Sequence, residues 1–163
     1  MGLLNTLLGK TQVPSISVSI LPEVAKQAIL QGKLPRLNTN NIFLKTGEYC
    51  CYIDKTILMV NKTKKIYQHK GGSAPGIFKG TRVTWGSGHP VEYTETQQIK
   101  GILYITNKRV ILQAKTDGFE KQHRYLTAIK PYQNAVELQY GTKTYCLIVA
   151  DGNLVYHVLK MLN

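Results

Sequence analysis

Four histidines, three cysteines and nine carboxylates are the chain's stock of side chains for acid–base, nucleophilic or metal chemistry. His69, His89, His123 and His157 are scattered, and none has the i, i+4 or His-x-Glu context of a metal or deaminase site. Cys50, Cys51 and Cys146 show neither a zinc spacing nor a disulfide framework. Consecutive strand residues point to opposite faces, so Cys50 and Cys51 cannot share one core position. They read as small apolar fillers, kept as thiols in a reducing compartment. Gly71-Gly-Ser73 and Gly86-Ser-Gly88 suggest phosphate loops by composition, but neither opens a helix or runs into Gly-Lys-Ser/Thr. Gly-x-Ser-x-Gly and spaced acid pairs are missing. The expectation is a protein that is not an enzyme and needs no metal or cofactor.

Charge is the stronger signal. Lys and Arg total 21 against 9 Asp and Glu, for a net charge of +12. Such a chain expects an anionic partner: membrane lipid, nucleic acid or an acidic protein surface. The blander alternative is solubility. From Lys55 to Val91 there is no carboxylate at all. That window holds Lys55, Lys62, Lys64, Lys65, Lys70, Lys79 and Arg82, the candidate anion-binding set. Each well-placed cation near an anionic surface contributes about 1 kcal/mol. With only four arginines, at 36, 82, 109 and 124, sequence-specific base reading is disfavoured. Non-specific nucleic-acid contact stays open. Tyr67, Tyr93, Tyr104, Tyr125, Tyr132 and Tyr140 stack on bases only if one exposed sheet carries them; packing is the commoner role.

The elements that must position these residues are mostly strands. Leu3, Leu4, Leu7 and Leu8 give residues 1–12 a short amphipathic turn or helix, and Met1-Gly2 to Thr6 also matches an N-myristoylation pattern. Alternation over 13–21 predicts a strand or extended segment after Pro14. Pro22 opens a helix with Glu23 in its first turn and Lys33 near its end. Its apolar face is read as Leu21, Val24 and Ala28 beside Ala25 and Ile29. Residues 1–41 therefore read as a helical and extended appendage, and 37–41 as the boundary.

From residue 42 strands are expected at 48–54 and 56–60, a polar turn at 61–65, and a return at 66–69. A loop at 71–76, a strand at 77–85, a turn at 86–90 and a strand at 91–96 follow. Lys100 to Leu112 is the sharpest stretch: two apolar, β-branched runs flank Asn107-Lys-Arg109. Asn107 tolerates the left-handed backbone that a tight turn needs. Asp117-Gly118 and Gly141-Thr142 mark further hairpins, joining 110–114 to 119–126 and 136–140 to 144–150. Tyr145, Leu147 and Val149 point one way and Cys146 and Ile148 the other, so this strand is expected to be covered on both faces. Asp151 caps a last helix with the stripe Leu154, Val155, Val158, Leu159 and Leu162. Neither a secretion leader nor a stretch of roughly 18 apolar residues is visible, so membrane contact is expected to be peripheral and the location cytoplasmic.

Gly101–Leu112 resembles the "G-x-L-Y-I-T-N-x-R" hairpin of GRAM and related bacterial PH-like domains. Residues 44–52, Gly71-Gly-Ser73 and Lys79-Gly80 are similar to further segments of those proteins. The resemblance covers 42–163. It implies a mainly β, PH-like barrel of two packed antiparallel sheets, capped by a C-terminal amphipathic helix, with the N-terminal appendage outside it. It implies a binding module rather than an enzyme. The basic pattern of eukaryotic phosphoinositide-binding PH domains is missing from the first hairpin. Three functions follow: a cytoplasmic module that contacts an anionic membrane or a protein partner, a nucleic-acid-binding accessory factor of a mobile element or phage, and an assembly protein docked by its N-terminal leucines.

Overall fold

The computed structural model describes residues 14–67 and 90–163, with side chains except at 64–67 and 90–93. Two compact units share the chain, Met1–Val60 with Gln98–Asn163, and Asn61–Gln97. Among the described residues there are seven strands: β1 (Cys50–Tyr67), β2 (Pro90–Thr106), β3 (Arg109–Ala114), β4 (Phe119–Gln122), β5 (Ala128–Pro131), β6 (Ala135–Tyr140) and β7 (Lys143–Ile148). Helix α1 (Glu23–Leu30) precedes them and α2 (Gly152–Leu162) follows. The mainly β fold with a closing helix is thus what the chain adopts.

All seven strands belong to one antiparallel sheet, ordered β4-β3-β2-β1-β7-β6-β5, where the resemblance implied two. The sheet nonetheless faces itself. Phe119 on the edge strand β4 stacks on Tyr145 of β7, with ring centroids 4.0 Å apart. Four strand steps across a flat sheet would separate them by roughly 19 Å. The sheet therefore bends until β4 meets β7 across the core. Leu103, Ile105, Val110, Leu112, Val136, Leu138 and Leu147 fill the interior between.

Register makes β7 a central strand. Ile148 sits opposite Ile57 of β1 and Ala135 of β6, and Cys146 opposite Met59 and Glu137. Leu147, one residue over, faces the main core instead. Ile57, Met59, Ala135, Cys146 and Ile148 form a second, smaller cluster, against which Ile16 packs. Both faces of β7 are buried, as its doubly apolar pattern requires.

Helix α2 closes the main core. Asp151 Oδ1 accepts from the amides of Asn153 (2.9 Å) and Leu154 (3.4 Å). Leu154, Val155, Val158 and Leu159 are buried, and the helix packs on β5, β6 and α1. A Cβ at residue 152 would lie 2.0 Å from the Tyr132 carbonyl oxygen, so only glycine lets the helix start here. Asp151→Ala should lower unfolding free energy by about 1 kcal/mol in urea titration.

Several local expectations change. Of the two readings of 14–21, strand or extended segment, the strand is not formed. Asp54, buried, takes the Ile20 amide (2.8 Å) and the Ser19 hydroxyl, so a side chain pins this segment in place of a ladder. In α1 the buried stripe is Leu21, Ala25 and Ile29, while Val24 is 82% exposed. The four-residue spacing of the buried set leaves Val24 off the face. The helix ends at Leu30, before Lys33. Residues 61–65 are strand rather than turn, and 48–54, 56–60 and 66–67 do not alternate with breaks but join one strand, β1, from Cys50. Residues 91–96 and 102–106 likewise share β2. The β3–β4 connection uses four residues with Asp117 at φ 58°, and β4 stops at Gln122, followed by a 3-10 turn at His123–Tyr125. The 1–12 helix, the myristoylation pattern, the 71–76 loop, the 77–85 strand and His69 and His89 lie outside the described residues.

Candidate functional site

The best-built polar structure stands where β2 turns into β3. Thr106 Oγ1 accepts from the amides of Lys108 (3.1 Å) and Arg109 (3.0 Å), which folds the turn. Asn107 does not use a left-handed backbone; among the described non-glycine residues only Asp117 does. Asn107 serves as a bridge instead. Its amide donates to the Tyr49 carbonyl (3.0 Å), its Oδ1 accepts from the Tyr49 amide (2.9 Å), and its Nδ2 donates to the Gly47 carbonyl (3.1 Å). Lys108 Nζ reaches the Thr46 carbonyl at 3.0 Å. The turn therefore holds the 46–49 loop at every position.

Beneath it lies a buried ion pair. Arg109 Nε and Nη2 donate to the two oxygens of Glu48 at 2.8 and 3.0 Å. Nη2 also reaches the Phe43 carbonyl, and Nη1 meets Glu120 at 2.7 Å. Glu48 accepts as well from Thr106 Oγ1 (2.6 Å) and the Lys45 amide (2.8 Å). Burial by itself would raise the Glu48 carboxyl, but the bonds from Arg109, Thr106 and Lys45 outweigh it and bring it from 4.5 down to about 2. A carboxyl depressed by folding adds stability that is complete above its unfolded value and lost as pH falls through the folded one. Stability should therefore drop between about pH 4.5 and 2. Glu48→Gln should remove most of that drop in acid unfolding followed by circular dichroism, from a lower starting stability.

His123 is buried beside this network, its Nε2 2.7 Å from the Thr106 carbonyl oxygen, and burial lowers its pKa. His157 is exposed. The three cysteines are buried free thiols; burial pushes Cys50 up to about 11, and Cys51 and Cys146 up to about 12. Such thiols are not nucleophiles near neutral pH. Among the described residues no cluster of three or more His, Cys, Asp or Glu is arranged to hold a metal, and no helix is long and apolar enough to cross a membrane.

The expected basic set is only partly in view. Lys55 is exposed and lines a cleft of about 510 Å³ with Lys100, Ser15, Ser17, Ile16 and Ile102. Lys62 is half-buried in β1 and engaged with a partner. Lys64 and Lys65 lie on β1, and Lys70, Lys79 and Arg82 fall outside the described residues. The residues that sequence reasoning missed are Lys100, and Lys45, Lys108 and Arg124, which surround a recess of about 330 Å³. Strand alternation through Lys100 and Ile102 was the available signal for the first. The others come from three separate connections that only the fold joins. Tyr104 and Tyr140 are buried and Tyr132 half-buried, so these tyrosines offer no stacking platform.

The two signs of charge are treated differently. Glu48, Asp54 and Glu137 are buried with partners, and Glu120 is spent on Arg109. Arg109 is the one buried Lys or Arg among the described residues. Among the described residues, more negative than positive charge is thus withdrawn from the surface.

No family model matches this chain, and no curated protein matches it. Among solved structures it is similar to the Vps36 N-terminal PH domain, at 11% identity and a TM-score of 0.42, over 79% of this chain and 89% of that one.

Proposed function

We propose that this chain is a non-catalytic binding module that docks on an anionic membrane surface through its basic face. The observation that carries the reading is the unequal burial of charge among the described residues: three carboxylates, Glu48, Asp54 and Glu137, are buried with partners, whereas Arg109 is the one buried Lys or Arg. That arrangement projects a positive field toward any anionic surface. The layout of sheet and closing helix, which the GRAM and PH-like resemblance implies, supports a binding role over a catalytic one. Three buried free thiols support a reducing cytoplasm. The carboxylate-free window with Lys55, Lys62, Lys64, Lys65, Lys70, Lys79 and Arg82 is our proposed source of that field.

Charge reversal at Lys62, Lys64 and Lys65 together tests it. Removing three contributions of about 1 kcal/mol each weakens binding to acidic vesicles on the order of a hundredfold at low salt. Near-unchanged melting checks that the fold survives. Undiminished vesicle binding would remove the basic window from the account.

A further inference from the structure

We propose that Lys45, Lys108, Gln122 and Arg124 form a pocket for a phosphate headgroup, and that Phe43 enters the bilayer beside it. This inference rests on the membrane reading above but names a site outside the basic window. The recess of about 330 Å³ is lined by these four residues and Arg109. Arg109 brings no free charge, because Glu48 and Glu120 occupy its Nε, Nη1 and Nη2. Its part is to fix the walls. The charge comes from the other three cations. Lys45 and Arg124 are exposed, and neither pairs with a carboxylate among the described residues. Lys108 Nζ is aimed across the turn by the Thr46 carbonyl. The Arg124 guanidinium lies 4.8 Å from the centroid of the Tyr125 ring. Gln122 adds an amide donor. Glu120, 52% exposed, is held at 2.7 Å by Nη1 of the lining residue Arg109. Three unneutralised cations around a recess with fixed walls suit a phosphate, which presents several acceptor oxygens.

Phe43 selects a bilayer as the carrier of that phosphate. It is 87% exposed, the most exposed of the large apolar side chains described. Its backbone is not loose, since its carbonyl is bonded to Arg109 Nη2 and the loop continues into Lys45, whose amide is bonded to Glu48. The ion pair thus anchors the loop that carries both Phe43 and Lys45, the latter one wall of the recess. An aromatic ring that enters the apolar zone of a membrane while nearby cations hold headgroups is a two-part contact, apolar and electrostatic. Tyr125, 54% exposed under Arg124, adds a second amphipathic ring suited to the interface.

Flotation of the full chain with phosphatidylcholine vesicles, with and without phosphatidic acid, tests the proposal alongside titration with glycerol 3-phosphate. Lys45→Glu with Arg124→Glu should weaken vesicle binding roughly thirtyfold at low salt and leave melting close to wild type. Phe43→Ser should weaken vesicle binding roughly tenfold, even at high salt, yet leave glycerol 3-phosphate binding intact. Bound glycerol 3-phosphate should shift the Arg124 and Gln122 side-chain N–H resonances. Wild-type vesicle binding by the Lys45/Arg124 variant, with loss in the Lys62/Lys64/Lys65 variant, would overturn the pocket and leave the membrane reading standing. A wild-type chain that binds glycerol 3-phosphate here but never floats would overturn the bilayer as its source. No flotation and no phosphate binding would overturn both.

Discussion

Leu159→Asp should leave no cooperatively folded protein. Leu159 is fully buried on α2, in the cluster that joins this helix to the inner face of the sheet. The helix spans β5 and β6 and touches α1, so one charged residue strikes three elements at once. Aspartate there has no cationic partner in the cluster and would lose about 2–5 kcal/mol of apolar packing as well as its hydration. Against a typical total of about 5–15 kcal/mol, that is enough to unfold a domain of this size. Near-ultraviolet circular dichroism should lose its signal and thermal melting its sigmoid. Leu159→Ala is the milder companion, expected to fold with a melting point lower by several degrees. A Leu159→Asp protein that melts like wild type would mean that α2 does not close the core.

The second large effect is expected at Arg109. Arg109→Met strands the Glu48 carboxylate, whose side chain is fully buried, and should cost about 3–5 kcal/mol in urea unfolding at pH 7. The same change releases the Phe43 carbonyl and Glu120. Adding Glu48→Leu should recover a large part of the loss, because an apolar pair of similar volume needs no counter-charge. Strict additivity of the two losses would show that the two residues do not act as a pair.

The pair explains what could and could not be read in the chain. Asp151, the α2 stripe, Gly141 at φ +65° and the doubly apolar β7 were legible because each is a local pattern with a local cause. Cap chemistry, helical spacing and turn residues act within a few positions. Glu48 was not legible. A glutamate at the start of an expected strand reads as surface, and only Arg109, 61 residues on, makes its burial tolerable. Asn107 was expected for its backbone freedom, yet its side chain holds a loop 58 residues earlier. Lysine-rich 61–65 read as a turn because lysine and asparagine are poor strand formers; the long β1 overrides that preference. The bend that brings Phe119 to Tyr145 is likewise a property of the whole sheet. The recess around Lys45, Lys108 and Arg124 arises in the same way: its cations lie far apart in sequence, and the fold gathers them.

The measurement that bears most directly on the docking claim is sedimentation of the full chain with neutral and with acidic vesicles across a salt series, run beside a duplex DNA gel shift. Binding to acidic vesicles at low salt is expected, with progressive release as salt rises, no binding to neutral vesicles, and weaker binding to DNA at matched salt. DNA binding that is tighter than vesicle binding at every salt, or a chain that never sediments with acidic vesicles, would contradict it.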